Sequence, residues 1–172
     1  MDDENPNPYS LPDPDHDPAV IAARLMRHPV HQHLADNEVR IGYLMRCKPK
    51  DKGNKRELGS VHAVKTMFQG GFKDLGLMLL EQLLGDLPEF LIVLDLKFWN
   101  QATDEQRDAL TWHELAHIQQ RVDEYGAPRF DRDGLPVFGI VEHDVSAFRS
   151  EVERFGLWSD DLRAFVAVAR EA

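Results

Sequence analysis

Two periodicities run through the apolar residues of the chain. Val141, Val145, Phe148, Val152 and Phe155 recur at steps of three and four, which predicts a helix from about residue 142 or 143 to 155 with one core-facing stripe, ended by Gly156. A second such pattern, Leu162, Phe165 and Val168 behind the potential cap Ser159, predicts a C-terminal helix over 159–169. Val20, Ala23, Leu25 and Met26 predict a helix over 19–34, interrupted at Pro29. A shorter helix is expected over 73–84, before a turn at 85–88. Alternation takes over at VRIGYLMRC (39–47) and again at 58–66, and both read as strands. EFLIVLDLKF (89–98) is the strongest strand candidate, a compact apolar run that ends with Leu94, Leu96 and Phe98 on one face and Asp95 and Lys97 on the other.

That strand leads into residues 103–125, TDEQRDALTWHELAHIQQRVDEY. Thr103 and Gln106 have capping-box spacing, and Ala109, Leu110, Trp112 and Ala116 offer a packing surface. The helix is expected to continue until Gly126 and Pro128 stop it, and Asp131, Asp133 and Gly134 then mark a turn into LPVFGI. Runs of strands beside runs of helices imply an α+β fold. The expected form is a small mixed or antiparallel sheet packed on the 103–125 helix, with further helices at the C-terminus.

The length of 172 residues suits one domain, taken as 19–172. Residues 1–18 hold six acidic side chains, several prolines and no lysine or arginine, and are expected to be a disordered arm that solvates the chain or contacts a protein partner. The charge balance, 20 basic against 30 acidic residues, argues against broad wrapping of nucleic acid. It leaves room for one local patch, Lys48, Lys50, Lys52, Lys55 and Arg56, expected as an exposed connection between strands and a candidate polyanion contact. Cys47 is the only cysteine, so no intrachain disulfide can form. The acidic, proline-rich start lacks a secretory pattern, and LGLMLL and FLIVL are too short to cross a bilayer. A soluble cytoplasmic protein is expected.

The chemistry lies in His113, Glu114 and His117. Histidines four apart on a helix share one face, one turn apart, where both imidazoles could hold a zinc ion, and Glu114 beside them is a candidate general base. A catalytic zinc site usually takes a third protein ligand. His143, at the start of the next helix, is the first choice. Asp123, six residues after His117, and Glu142 are the alternatives. Asp144 could orient an imidazole or cap the helix. His28, His31 and His33 straddle a proline and are expected to be surface or capping histidines. The implied reaction is peptide hydrolysis, with the strand near 58–66 or that at 89–98 pairing with an extended substrate.

Four stretches, RIGYLMRCKPK, LGSVHAVK, EFLIVLDLKFWNQATDEQRDALTWHELAHI and GIVEHDVSAFRSEVERFGLW, together resemble the phage metallopeptidase family over about residues 40–158. More distantly the arrangement is similar to the small SprT-like zincin domain. The resemblance implies a minimal zincin fold with Zn2+ held by His113, His117 and His143 and with Glu114 as base. Two other functions are compatible with it: an inactive zincin scaffold that binds a protein partner, and a DNA-associated SprT-like protease using the basic patch.

Overall fold

Residues 90–95 are aliphatic or aromatic up to a final aspartate, and they form a strand buried along its whole length. The computed structural model describes residues 7–52, 55–142 and 149–171. Its N-terminal elements are β1 (Tyr9–Ser10), α1 (Pro18–Leu25), α2 (Gln32–Asp36), β2 (Ile41–Arg46), and a hairpin of β3 (Asp51–Lys52) and β4 (Lys55–Arg56). There follow β5 (Gly59–Ala63), α3 (Val64–Met67), α4 (Lys73–Leu84), β6 (Phe90–Asp95), α5 (Leu96–Gln101) and α6 (Asp104–Ala116). The chain ends with β7 (Ile118–Gln120), β8 (Phe138–Ile140), α7 (Arg149–Phe155) and α8 (Asp160–Glu171).

The main sheet has the order β1-β2-β6-β5. Strands β2 and β6 are parallel, from Ile41 opposite Phe90 to Arg46 opposite Asp95, whereas β5 runs antiparallel to β6. Both faces of β6 are covered, which is why its sequence reads as a continuous apolar run. Phe90, Ile92 and Leu94 face a core containing Trp112 and Leu115 of α6. Leu91 and Val93 face a second cluster with Leu44, Val64 and Leu80 of α4. The result is the expected α+β fold with a mixed sheet packed against several helices. No helix among the described residues is long and apolar enough to cross a membrane.

Several boundaries differ from expectation for identifiable reasons. The strand expected over 89–98 stops at Asp95, whose Oδ1 accepts from the Phe98 amide at 2.8 Å and so caps α5. The 58–66 strand ends at Ala63 and turns directly into α3. The N-terminal segment is seated on the domain from residue 8: the Pro8 carbonyl accepts from the Cys47 amide, β1 pairs with β2, and the Trp99 indole donates to the His16 carbonyl at 2.9 Å. The tertiary contacts that hold it are invisible to composition. The stripe expected from residue 142 or 143 falls partly on 143–148, outside the described residues, and α7 is described from Arg149.

The largest departure is the end of the 103–125 helix. It stops at Ala116, with His117 as its C-cap, because Ile118–Gln120 pair instead with Phe138–Ile140. From Asp123 to Phe138, the first residue of β8, runs a tandem octapeptide, DEYGAPRF followed by DRDGLPVF. Each copy folds alike. Asp123 Oδ1 accepts from the Tyr125 and Ala127 amides at 2.9 Å, and Asp131 Oδ1 accepts from those of Asp133 and Leu135 at 2.9 Å. Gly126 and Gly134 adopt φ values of 81° and 79°, the left-handed conformation that turn geometry demands. Three positions spaced by eight form a backbone ring, closed between its two ends: Arg121 N–H donates to Val137, Val137 N–H to Arg129, and Arg129 N–H to Arg121, over 2.7–3.0 Å.

Candidate metal centre

The site begins at the start of α6. Thr103 Oγ1 accepts from the Gln106 amide at 3.2 Å and Gln106 Oε1 accepts from the Thr103 amide at 2.9 Å, the reciprocal capping box that the sequence predicts. The buried faces of Ala109, Leu110, Trp112, Leu115 and Ala116 then fix the helix rotation. With that phase, His113, Glu114 and His117 line one cavity of about 450 Å³. Its other walls are Gly59, Ser60 and Val61 of β5, and Ile140, Val141 and Glu142 at the end of β8.

The two imidazole centroids are 5.2 Å apart, with ring planes at 78°. His117 Nδ1 lies 2.7 Å from the Val141 carbonyl. A carbonyl can only accept, so the ring proton sits on Nδ1 and the neutral ring carries its lone pair on Nε2. His113 Nδ1 lies 2.7 Å from Glu151 Oε2, which selects the same tautomer. Glu151 is 1% exposed, and its Oε1 also accepts from the Trp158 indole. Burial disfavours the His113 cation, but the Glu151 hydrogen bond and the charges of Glu114 and Glu151 outweigh it, so the net shift is upward. Burial pushes His117 downward, partly opposed by its Val141 bond.

Glu114 is 2% exposed, and its Oε2 has no hydrogen-bond partner among the described residues. Burial pushes its carboxyl up to about 7. The charge of His113 opposes that shift, and Glu57 and Glu151 reinforce it. An acid poised near neutrality beside two imidazoles with defined tautomers is an arrangement suited to moving a proton. Two imidazole donors suit zinc.

The other candidates are distributed as follows. Glu142 lines the cavity. Asp123 does not; its Oδ1 heads a turn of the octapeptide ring. His143 and Asp144 lie outside the described residues. Among the described residues, no three His, Cys, Asp or Glu side chains are grouped to hold a metal. In the basic patch Lys50 pairs with Glu57 at 3.0 Å, and Arg56 makes a double contact with the buried Asp95 at 3.0 and 3.2 Å. Lys48 is exposed, while Lys52 and Lys55 lie on the β3–β4 hairpin.

The three N-terminal histidines have separate roles. His31 is 0% exposed, edge-on to Trp112 with centroids 4.2 Å apart, and thus a core residue rather than a surface one; it stands at the N-cap position of α2 but makes no side-chain cap hydrogen bond there. His33 Nε2 meets the Ile118 carbonyl at 3.1 Å, and His28 Nδ1 accepts from the Val30 amide at 3.3 Å. Sequence reasoning missed Glu151. Its signal was present: Glu151 falls three residues after Phe148 and four before Phe155, an acid on an apolar helical stripe.

A family model described as "Putative phage metallopeptidase" matches residues 14–169. Comparison with curated proteins gives no match, and comparison with solved structures gives none. The matched range contains the sheet, α6 with its His-Glu-Leu-Ala-His sequence, the ring and Glu151, so it takes in every described wall of the cavity. The chain belongs to the phage metallopeptidase family.

Proposed function

We propose that the protein is a zinc-dependent peptidase with a minimal zincin-like site, in which His113 and His117 bind the metal and Glu114 is the general base. One observation carries this reading: the buried Glu114 carboxylate shares a cavity with two imidazoles whose Nδ1 atoms face Glu151 and the Val141 carbonyl, which favours Nε2 as the donor of each. His143 is proposed as third ligand; Glu142, the other candidate, lines the same cavity but is not grouped with His113 and His117 to hold a metal as the side chains stand. Zinc, when bound, acts as a Lewis acid that polarises a carbonyl and makes water a better nucleophile at neutral pH.

The residues of the chain supply the rest. Glu114 takes a proton from the attacking water as the new C–O bond forms, and delivers it to the leaving amine as the C–N bond breaks. Burial that lifts its pKa to about 7 lets the same carboxyl act in both directions near neutrality. Strand β5 is the end strand of the main sheet and forms a cavity wall through Gly59, Ser60 and Val61. An extended peptide pairing there would lie across the base. At the far end of β5, Ala63 lines a second cavity of about 420 Å³ with Val64 of α3, Val137 and Phe138, so such a peptide would run from one cavity to the next.

The test is hydrolysis of an unstructured polypeptide by zinc-loaded protein, with metal content measured in parallel. Glu114→Gln is expected to keep the metal and lose at least about 10²-fold in kcat. Equal hydrolysis by Glu114→Gln would remove Glu114 from the mechanism. Metal binding without hydrolysis by either protein would favour a binding scaffold.

A further inference from the structure

Gly59 lies on β5 opposite Leu94 of β6. Residues 61 and 63, which follow it at the strand period of two, pack toward the core that contains Trp112 and Leu115. Gly59 therefore presents its bare Cα to α6, where Glu114 comes down onto it. A Cβ built at this position would overlap Glu114 Oε1 and lie 2.7 Å from Cδ and 3.0 Å from Cγ. Among the described residues, and leaving aside its chain neighbours, the three heavy atoms nearest that methyl position all belong to Glu114. The backbone at Gly59 is not among the positive-φ positions, so left-handed geometry is not what requires glycine here.

We infer that Gly59 is a positioning residue for the Glu114 carboxylate. Its missing side chain is the seat in which that carboxylate rests, at the floor of the cavity shared with His113 and His117. Glu114 is almost wholly enclosed, so a methyl group at 59 leaves the carboxylate no room in its present position. The group in the way is the end of a flexible side chain, so the strand can accept alanine while the carboxylate moves aside. A shift of about 1 Å at a reacting group costs about 10²-fold in rate, whereas the same shift is minor for the fold. The inference rests on Glu114 as base.

Two measurements test it separately. The first is a thermal-unfolding cycle on metal-free protein with Gly59→Ala, Glu114→Ala and the double variant. Gly59→Ala is expected to lower Tm by about 2–6 °C beside Glu114, and to leave Tm unchanged or raised beside alanine at 114. Equal shifts in the two backgrounds would overturn the contact. If Gly59→Ala does not fold with Glu114 present, folding of the double variant supports the contact, and its failure to fold overturns it. The second measurement is hydrolysis of an unstructured polypeptide by zinc-loaded Gly59→Ala. A kcat lower by about 10²-fold, with KM within threefold and metal content equal to wild type, is expected. Wild-type kcat in this variant would overturn the positioning role while leaving the peptidase reading in place. Absence of hydrolysis by the wild-type protein would instead overturn that reading and the positioning role with it, while the Tm cycle still reads the contact.

Discussion

Glu151 and His31 show how a buried polar group takes its role from its neighbours. The Glu151 carboxylate faces the His113 ring on one oxygen and the Trp158 indole on the other. It thereby holds both the orientation and the tautomer of His113. Carboxylates in this relation to a metal-binding histidine raise affinity by about 10–100-fold. Glu151→Gln is expected to weaken zinc binding by that factor in a chelator competition, while Glu153→Gln, two residues on and exposed, leaves it unchanged. His31 is the opposite case: both ring nitrogens are buried without hydrogen-bond partners among the described residues. Burial, aided by His33, His28 and Arg154, lowers its pKa to about 3. The folded state therefore keeps His31 neutral through a range where the unfolded chain, titrating near 6.5, binds a proton. Stability from this residue is complete above pH 6.5 and declines as pH falls toward 3, by about 3 kcal/mol at pH 4.5. Denaturant titrations at pH 7.5 and 4.5 should show this loss, and His31→Phe should reduce it. At this scale the His-Glu-Leu-Ala-His spacing was legible, because it depends on helix geometry alone. The burial of His31 was not, since it depends on Trp112, about 80 residues away.

At the scale of elements, local signals survived where neighbours agreed with them. The capping box at Thr103 and the helix over 73–84 read directly from sequence, because their side chains act within one turn. Boundaries moved where a distant partner competed. Asp95 fits the alternating pattern of a strand, yet its carboxylate caps α5 and also pairs with Arg56, so the strand ends there. Past Ala116 the helical pattern gave way to pairing with residues 138–140. The octapeptide copies provide an internal control, since each turn uses one aspartate and one left-handed glycine. Gly126→Ala and Gly134→Ala are each expected to cost about 1–2 kcal/mol. Hydrogen exchange should show increased opening confined to residues 118–140, of similar size in the two variants.

Across the whole molecule, the α+β class was legible because strand and helix periodicities occupy separate stretches. The parallel pairing of β2 with β6 was not, because nothing local records which strands become neighbours. The N-terminal segment shows how far composition reaches: residues 1–18 are acidic and proline-rich, yet from residue 8 they meet Cys47, add β1 to the sheet, bond to Trp99 through His16, and cap α1 with Asp17. Deleting residues 1–17 removes the cap and leaves the Trp99 indole without its acceptor. These two losses together cost about 2–4 kcal/mol. Calorimetry of the shortened chain should therefore give a Tm lower by at least about 4 °C. The octapeptide ring bears on the whole chain in another way. Each octapeptide copy supplies one step of the ring, so its length changes in units of eight residues. Here the ring closes through three positions, 121, 129 and 137, so a chain with one copy more or fewer has the wrong number of members. Such a change also separates His117 from the Val141 carbonyl that orients it, 24 residues along the chain. In this protein, the length of the stretch between them is held by the same contact that holds the histidine.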